Sequence, residues 1–228
     1  MLRPLAVLTL ISTSTLAGLS LAPGTSATSP ISIEDELLQN ASLVFSRAVH
    51  VPAAAIPAAV LMRATGIIVV PAAMNDGDRY RGTGVMSARG ARPDVWTAPA
   101  VISVEAGIPL NLESNTLDFV IVAQSRRGLD YLAQPRYASD RAILAGALGH
   151  NTPPDMTADL LAYAQFGKYF AGVTIDRWVL QEMSGSNQVL YGRPYSTDDI
   201  VRGAGFFHLP PAARMWRETL AAYFREMS

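Results

Sequence analysis

The spacing of hydrophobic positions changes twice along this chain. From Ile33 to Phe45 they fall at helical intervals, Ile33, Leu37, Leu38, Ala41, Val44 and Phe45, behind a Ser32 that can cap and an acidic first turn of Glu34, Asp35 and Glu36. This predicts a helix over "SIEDELLQNASLVFSRAVH", packed on the domain by its apolar stripe. Its acidic start has the wrong sign for a basic, lipid-seeking helix.

The run "IPAAVLMRATGIIVVPAAM", Ile56 to Met74, is the most apolar outside the N-terminus. Pro57 suits the first turn of a helix, "AAVLMRA" continues it, and Gly66 stands where a C-terminal cap belongs. "IIVVP" then reads as a buried strand ended by Pro71. Arg63 and Gly66 in the middle and prolines towards both ends argue against a bilayer-spanning helix, which needs about 20 apolar residues.

From Tyr80 the period shortens to that of strands. "RYRGTGVMSARG" and "VWTAPAVISVEAG" flank the turn-forming "ARPD", and "LDFVIVA", "AILAGALG", "DLLAYAQ", "YFAGVTID" and "WVLQEM" follow at short intervals. Helical spacing returns in "STDDIVRGAG", opening at Ser196 or Thr197, and in "PPAARMWRETLAAYFREM", where Ala212, Met215, Trp216, Leu220, Tyr223 and Phe224 share a face behind Pro210 or Pro211. The expected fold class is α+β: a single domain with an antiparallel β-sheet or flattened barrel-like core and packed N- and C-terminal helices.

Composition narrows the function. Half of the 228 residues are hydrophobic, enough for a sizeable core, and the formal charge of −1 with no basic block argues against nucleic acid. There is no cysteine, hence no disulfide, thiolate metal site or lipidated Cys. Residues 1–27 read as a signal peptide: Arg3 opens it, Leu5 to Ala22 is apolar, and Thr25-Ser26-Ala27 offers a cleavage site. An uncut membrane anchor is the competing reading. With cleavage, residues 28–32 form a linker, 33–228 the domain, and the mature chain is secreted or periplasmic with no transmembrane segment.

Catalytic signatures are weak. There is no G-x-S-x-G elbow, and His50, His150 and His208 are scattered; His150 in "LGHNTPP" reads as a loop residue. Asp155 with Asp159, and Asp198 with Asp199, lack the spacing of a calcium loop and read as helix caps or solvated turns. "GTGVMSARG" lacks the lysine of a phosphate-binding loop, which leaves Gly82, Gly84 and Gly90 as turn, bulge or close-packing positions. No cofactor is expected. Trp96 and Trp216 fall on predicted core faces.

Several blocks, in order from about residue 33 to 224, resemble the SYLF family, a Ysc84-type lipid- and actin-binding domain with bacterial exported members. They are "PAAVLMRATGIIVVP", "GTGVMSARGARPDVWTAPAVIS" with Thr97 in place of the usual Ser, "LDFVIVA" with Asp118, "YAQFGKYFAGVTID" and "NQVLYG". Departures are Pro109 and Glu113 where the family has glycines, and Arg177 and Trp178 where a glycine and a small residue are usual. The resemblance implies a non-enzymatic module binding phospholipid, a membrane surface or another apolar ligand at the cell envelope, the alternative being an envelope structural or protein-interaction domain with a protein partner.

Arginine suits phosphate, and tyrosine seats at membrane interfaces. The lipid-headgroup candidates are accordingly Arg79, Tyr80 and Arg81; Arg126 and Arg127; and Lys168 and Tyr169, with ordinary solvated residues on unrelated faces as the competing reading. Trp178 and Arg177 are ligand-access candidates, because Trp178 replaces a small residue and can fill or cover a site.

Overall fold

Ser32 caps the first helix as expected, its Oγ accepting the Asp35 N–H at 3.0 Å. The helix, α1, spans Ile33–His50 and buries Leu38, Ala41, Val44, Phe45 and Ala48. The computed structural model describes residues 31–50, 56–108, 115–139, 154–203 and 208–227. The predicted signal and most of the linker, the strand expected over "AILAGALG", Pro109, Glu113 and His150 lie outside the described residues.

A short helix, α2 (Ala58–Met62), leads through Thr65 into β1 (Gly66–Asn75), followed by β2 (Tyr80–Ala88), β3 (Ala100–Gly107) and β4 (Thr116–Ala123). Then come α3 (Arg126–Leu132), β5 (Arg136–Ser139), β6 (Leu160–Phe166), β7 (Tyr169–Gly172) and β8 (Asp176–Glu182). The chain ends with α4 (Ser184–Tyr191), α5 (Thr197–Val201) and α6 (Pro211–Glu226). The strands form one antiparallel sheet in the order β5-β8-β3-β2-β1-β4-β6-β7, which does not close into a barrel. The α+β class is as expected; the flattened barrel is an open sheet.

Two local expectations change. Gly66 does not cap α2 but begins β1, where a Cβ would stand 2.7 Å from Leu129 Cδ1. Pro71 does not end the strand: β1 runs on to Asn75 through a bulge at Ala72, whose φ is +46°. Asp118 makes this bulge tenable, since its Oδ1 accepts the Ala72 N–H at 2.7 Å while its Oδ2 takes Arg47 of α1 at 2.7 Å. The acid in "LDFVIVA" is thus a structural tie between strand and helix. The helices α3 and α4 and the strand β5 were not foreseen from the sequence.

Both faces of the sheet are apolar. Ile67, Val69, Val85, Val101, Val120 and Val122 face α1, α2 and α6, whereas Ile68, Val70, Met86, Ile102, Phe119 and Ile121 belong to an inner core with Leu132 of α3 and Val201 of α5. Gly82 and Gly84 are close-packing positions on that inner face, because a Cβ on either would come within 2.8 Å of a Val70 methyl. Trp216 of α6, fully buried, donates its Nε1–H to Ser87 Oγ at 2.9 Å and rests edge-on against Phe45. Trp96 lies against Phe224, and both rings receive the Arg89 guanidinium, which also caps α2 through the Leu61 and Met62 carbonyls. Among the described residues no helix is long and apolar enough to cross a membrane.

Ser87→Ala leaves the Trp216 N–H buried without an acceptor, and the expected loss is about 1–3 kcal/mol in urea-induced unfolding.

Candidate functional site

The register aligns the strands so that the sheet has two distinct ends. Gly66, Ala88, Ala123 and Leu160 pair in one row at the first end. At the second end lie the β1–β2 hairpin, Gly107, the start of β8 at Asp176, and the β6–β7 hairpin. The candidate residues divide between them. Arg79, Tyr80, Arg81, Lys168, Tyr169, Arg177 and Trp178 belong to the second end; Arg126 and Arg127 follow β4 at the first.

At the second end the strand period separates Tyr80 from its neighbours. Tyr80 points inward, 3% exposed, with its ring edge-on to Phe119 at 5.7 Å, and burial raises its pKa. It is a core residue, out of reach of a lipid headgroup. Arg79 and Arg81 face outward and share Glu105, at 3.5 and 3.8 Å, with Asp76 3.0 Å from Arg81. Lys168 occupies the two-residue turn between the paired Phe166 and Tyr169, and Tyr169 is exposed. Across the sheet, β1 and β4 separate β2 from β6, a span of about 14 Å.

Arg177 is the unpaired residue of a bulge in β8, between Trp178 opposite Ala106 and Asp176 opposite Gly107. Its φ is +43°, a region natural to the glycine usual in the family at this position and unusual for arginine. The side chain is exposed, while Trp178 beside it is 1% exposed and packs edge-on to Tyr137 at 5.2 Å. Trp178 therefore fills core volume beneath β5 and β8. Sequence reasoning missed Met74, which is 65% exposed and lies opposite Arg81 on β2. Regular alternation from Ile68 and Val70 puts Met74 inside; the bulge at Ala72 turns it out.

The first end is more self-contained. Ser125 caps α3, accepting the Gly128 N–H at 3.0 Å and donating to Asp159, which also binds Arg127. These hydrogen bonds, Ser125 first and Arg127 next, hold the Asp159 carboxyl below the usual carboxylate range. Arg126 borders a cleft of about 470 Å³ between the end of β2, α3 and α5, where Asp130 lies between Arg126 at 3.8 Å and Arg202 at 3.5 Å. Arg202 also holds Asp198 at 2.7 Å. Alternating signs leave these groups largely committed to one another. The other acids weighed from the sequence as oxygen ligands are likewise occupied: Asp155 closes a turn onto Thr157, and Asp199 forms a capping box with Ser196.

Two outcomes follow from these geometries. Arg177→Gly relieves a left-handed arginine and should raise the unfolding free energy by about 0.5–1 kcal/mol in denaturant titrations. Because the Asp159 pKa is depressed on folding, its contribution is present above about pH 4 and is lost as pH falls towards the folded value. Asp159→Asn should therefore flatten the acid limb of a stability-against-pH profile below about pH 4.

Residues 105–223, more than half of the chain, match the family described as Las17-binding protein actin regulator, Ysc84. Over 161 residues the chain is 28% identical to an SH3 domain-containing protein of Schizosaccharomyces pombe, an alignment covering 65% of this chain and 37% of that protein. The chain thus spans well under half the length of this curated relative. No solved structure matches. The matched segment runs from the end of β3 into α6 and includes the bulge at Arg177, the β6–β7 hairpin and α3. The chain belongs to the Ysc84, or SYLF, family, a family of binding domains.

Proposed function

We propose that this chain is a non-enzymatic binding module that docks on anionic phospholipid through the second end of the sheet. The observation that carries the reading is the make-up of that surface. Met74 and Tyr169, 65% and 54% exposed, stand at the same strand ends as Lys168 and Arg177, which form no ion pair among the described residues. Exposed apolar and aromatic groups gain by entering the headgroup layer, and each cation near an anionic surface contributes about 1 kcal/mol. Arg79 and Arg81 contribute less, because each already has carboxylates beside it. Residues 1–27, as a cleaved export signal, would deliver the module to the periplasm or the exterior. N-terminal sequencing of protein recovered there, starting near Thr28, tests that part separately.

The family description favours a second reading, a protein partner of the actin-regulator type. Co-sedimentation with actin filaments in the absence of lipid distinguishes it.

For the lipid reading, the purified protein is sedimented with neutral and with anionic vesicles at low and high salt. Salt-sensitive recovery with anionic vesicles is expected, and Lys168→Ala combined with Arg177→Gly should weaken it about 30-fold. Arg126→Ala with Arg127→Ala, at the far end, should leave it within about threefold. Equal loss in both double variants, or no binding to anionic vesicles, removes the strand-end surface from consideration.

A further inference from the structure

A second cleft, about 410 Å³, lies between α6 and the segment joining β2 to β3. Its walls carry Asp94, Trp96, His208, Arg214, Arg217 and Glu218. Arg214, Arg217 and Glu218 are spaced i, i+3 and i+4, which brings them to one face of α6. Charges so close on a helix ordinarily pair. Here, among the described residues, Arg214 makes no side-chain hydrogen bond or ion pair, and Glu218 makes none either. Arg217 gives only its Nε–H, to the Trp96 carbonyl at 2.8 Å, which fixes the side chain and leaves its terminal amino groups uncommitted. Asp94 has only the looser company of Arg92 at 4.0 Å.

Two guanidinium groups and two carboxylates therefore border one small cavity beside an indole, balanced in charge and unpaired across it. A ligand of one sign meets as much repulsion as attraction there. A ligand carrying both signs meets attraction at each end, and guanidinium forks suit an oxyanion as carboxylates suit a primary ammonium. The volume is that of a small-molecule site. We propose that this cleft binds a compact zwitterion with an oxyanion, phosphate or carboxylate, at Arg214 and Arg217 and a primary ammonium at Asp94 and Glu218. The same chemistry is offered by a free amino-phosphate or by the headgroup of an ethanolamine phospholipid. The site lies on α6, apart from the strand-end surface, and does not depend on that surface binding lipid.

Calorimetric titration of the purified protein with phosphoethanolamine tests this, with inorganic phosphate, ethanolamine and phosphocholine as single-sign or blocked-ammonium controls. Saturable binding of phosphoethanolamine is expected, at least about tenfold tighter than any control, with Arg214→Gln and Glu218→Gln each weakening it by about tenfold. Neither side chain forms a hydrogen bond or ion pair among the described residues, and an unchanged melting transition confirms that the variants are folded. Recovery on ethanolamine-phospholipid vesicles, but not on choline-phospholipid vesicles, identifies the headgroup source if it too falls in Glu218→Gln. Binding of free phosphoethanolamine without vesicle recovery identifies the soluble source. Lys168→Ala with Arg177→Gly should leave either result unchanged, which separates this site from the strand-end surface. The proposal is overturned if phosphoethanolamine fails to bind at up to about 10 mM, binds no better than inorganic phosphate, or binds both glutamine variants as well as the parent protein.

Discussion

The fold hangs on a central strand with no polar face to announce its register. Ile67 to Val70 are all fully buried and alternate between two separate cores, each side chain contributing about 2 kcal/mol by burial. In a half-exposed strand a one-residue slip is forbidden because it turns apolar groups to water. Here a slip exchanges valine and isoleucine for one another, so polarity alone discriminates poorly. Shape and hydrogen bonding supply the missing discrimination. Val70 fits where Gly82 and Gly84 leave room on the adjacent strand, and a Cβ at either position would collide with it. At the start of β1, the Thr65 N–H reaches the Ala123 carbonyl at 2.7 Å and its hydroxyl reaches the Ser125 carbonyl at 2.9 Å. Beyond Val70, Asp118 fixes the bulge from the neighbouring strand and joins it to α1.

That bulge has consequences for the surface. Inserting Ala72 reverses the alternation, so that Ala73 continues the inner core and Met74 emerges opposite Arg81. The second bulge, at Arg177, does the same service for β8: Trp178 and Leu180 stay inside while the arginine goes outside. Both non-glycine residues with positive φ among those described thus lie towards one end of the sheet, and each exposes a side chain that strict alternation hides or leaves unplaced. The opposite end is built differently. Its cations are caught in a chain of carboxylates that joins α3, α5 and the start of β6, which suits docking of elements to one another more than capture of a ligand.

The same physics decides what the sequence disclosed. Periodicity located α1, α6 and seven of the eight strands because long apolar patterns survive local irregularity, and Ser32 and Ser196 announced their helices through capping chemistry that needs no tertiary partner. The seven residues of α3 and the four of β5 carry too few periodic positions to stand out, and α4 opens at "SGSN", which reads as a loop until Asn187 is seen holding the Val101 N–H. The candidate site was legible as residue types and illegible as geometry. Arg79, Tyr80 and Arg81 look like a cluster in one dimension, yet a strand divides them between opposite faces. The pairing of Arg126 and Arg127 with Asp130 and Asp159 also depends on elements distant in sequence or missed from it. Met74 was invisible because its exposure follows from a bulge at an alanine, whose sequence offers no glycine to mark it.

At Arg177 the backbone cost and the proposed electrostatic gain are of similar size. A left-handed arginine gives up about 1–2 kcal/mol relative to an ordinary backbone, a penalty glycine avoids. Trp178 offsets part of it, since a larger side chain than the family's usual small residue is now fully buried beneath β5. What the strain leaves behind is a guanidinium at the surface with no carboxylate partner among the described residues, at the same end of the sheet as the hairpins that carry Lys168, Tyr169 and Met74. Near an anionic surface such a group recovers about 1 kcal/mol, and a paired one such as Arg81 recovers less because Asp76 and Glu105 already satisfy it. On the proposed reading the exchange is close to neutral for stability and favourable when an anion is present, which would give the strained arginine a use that the packing around it does not.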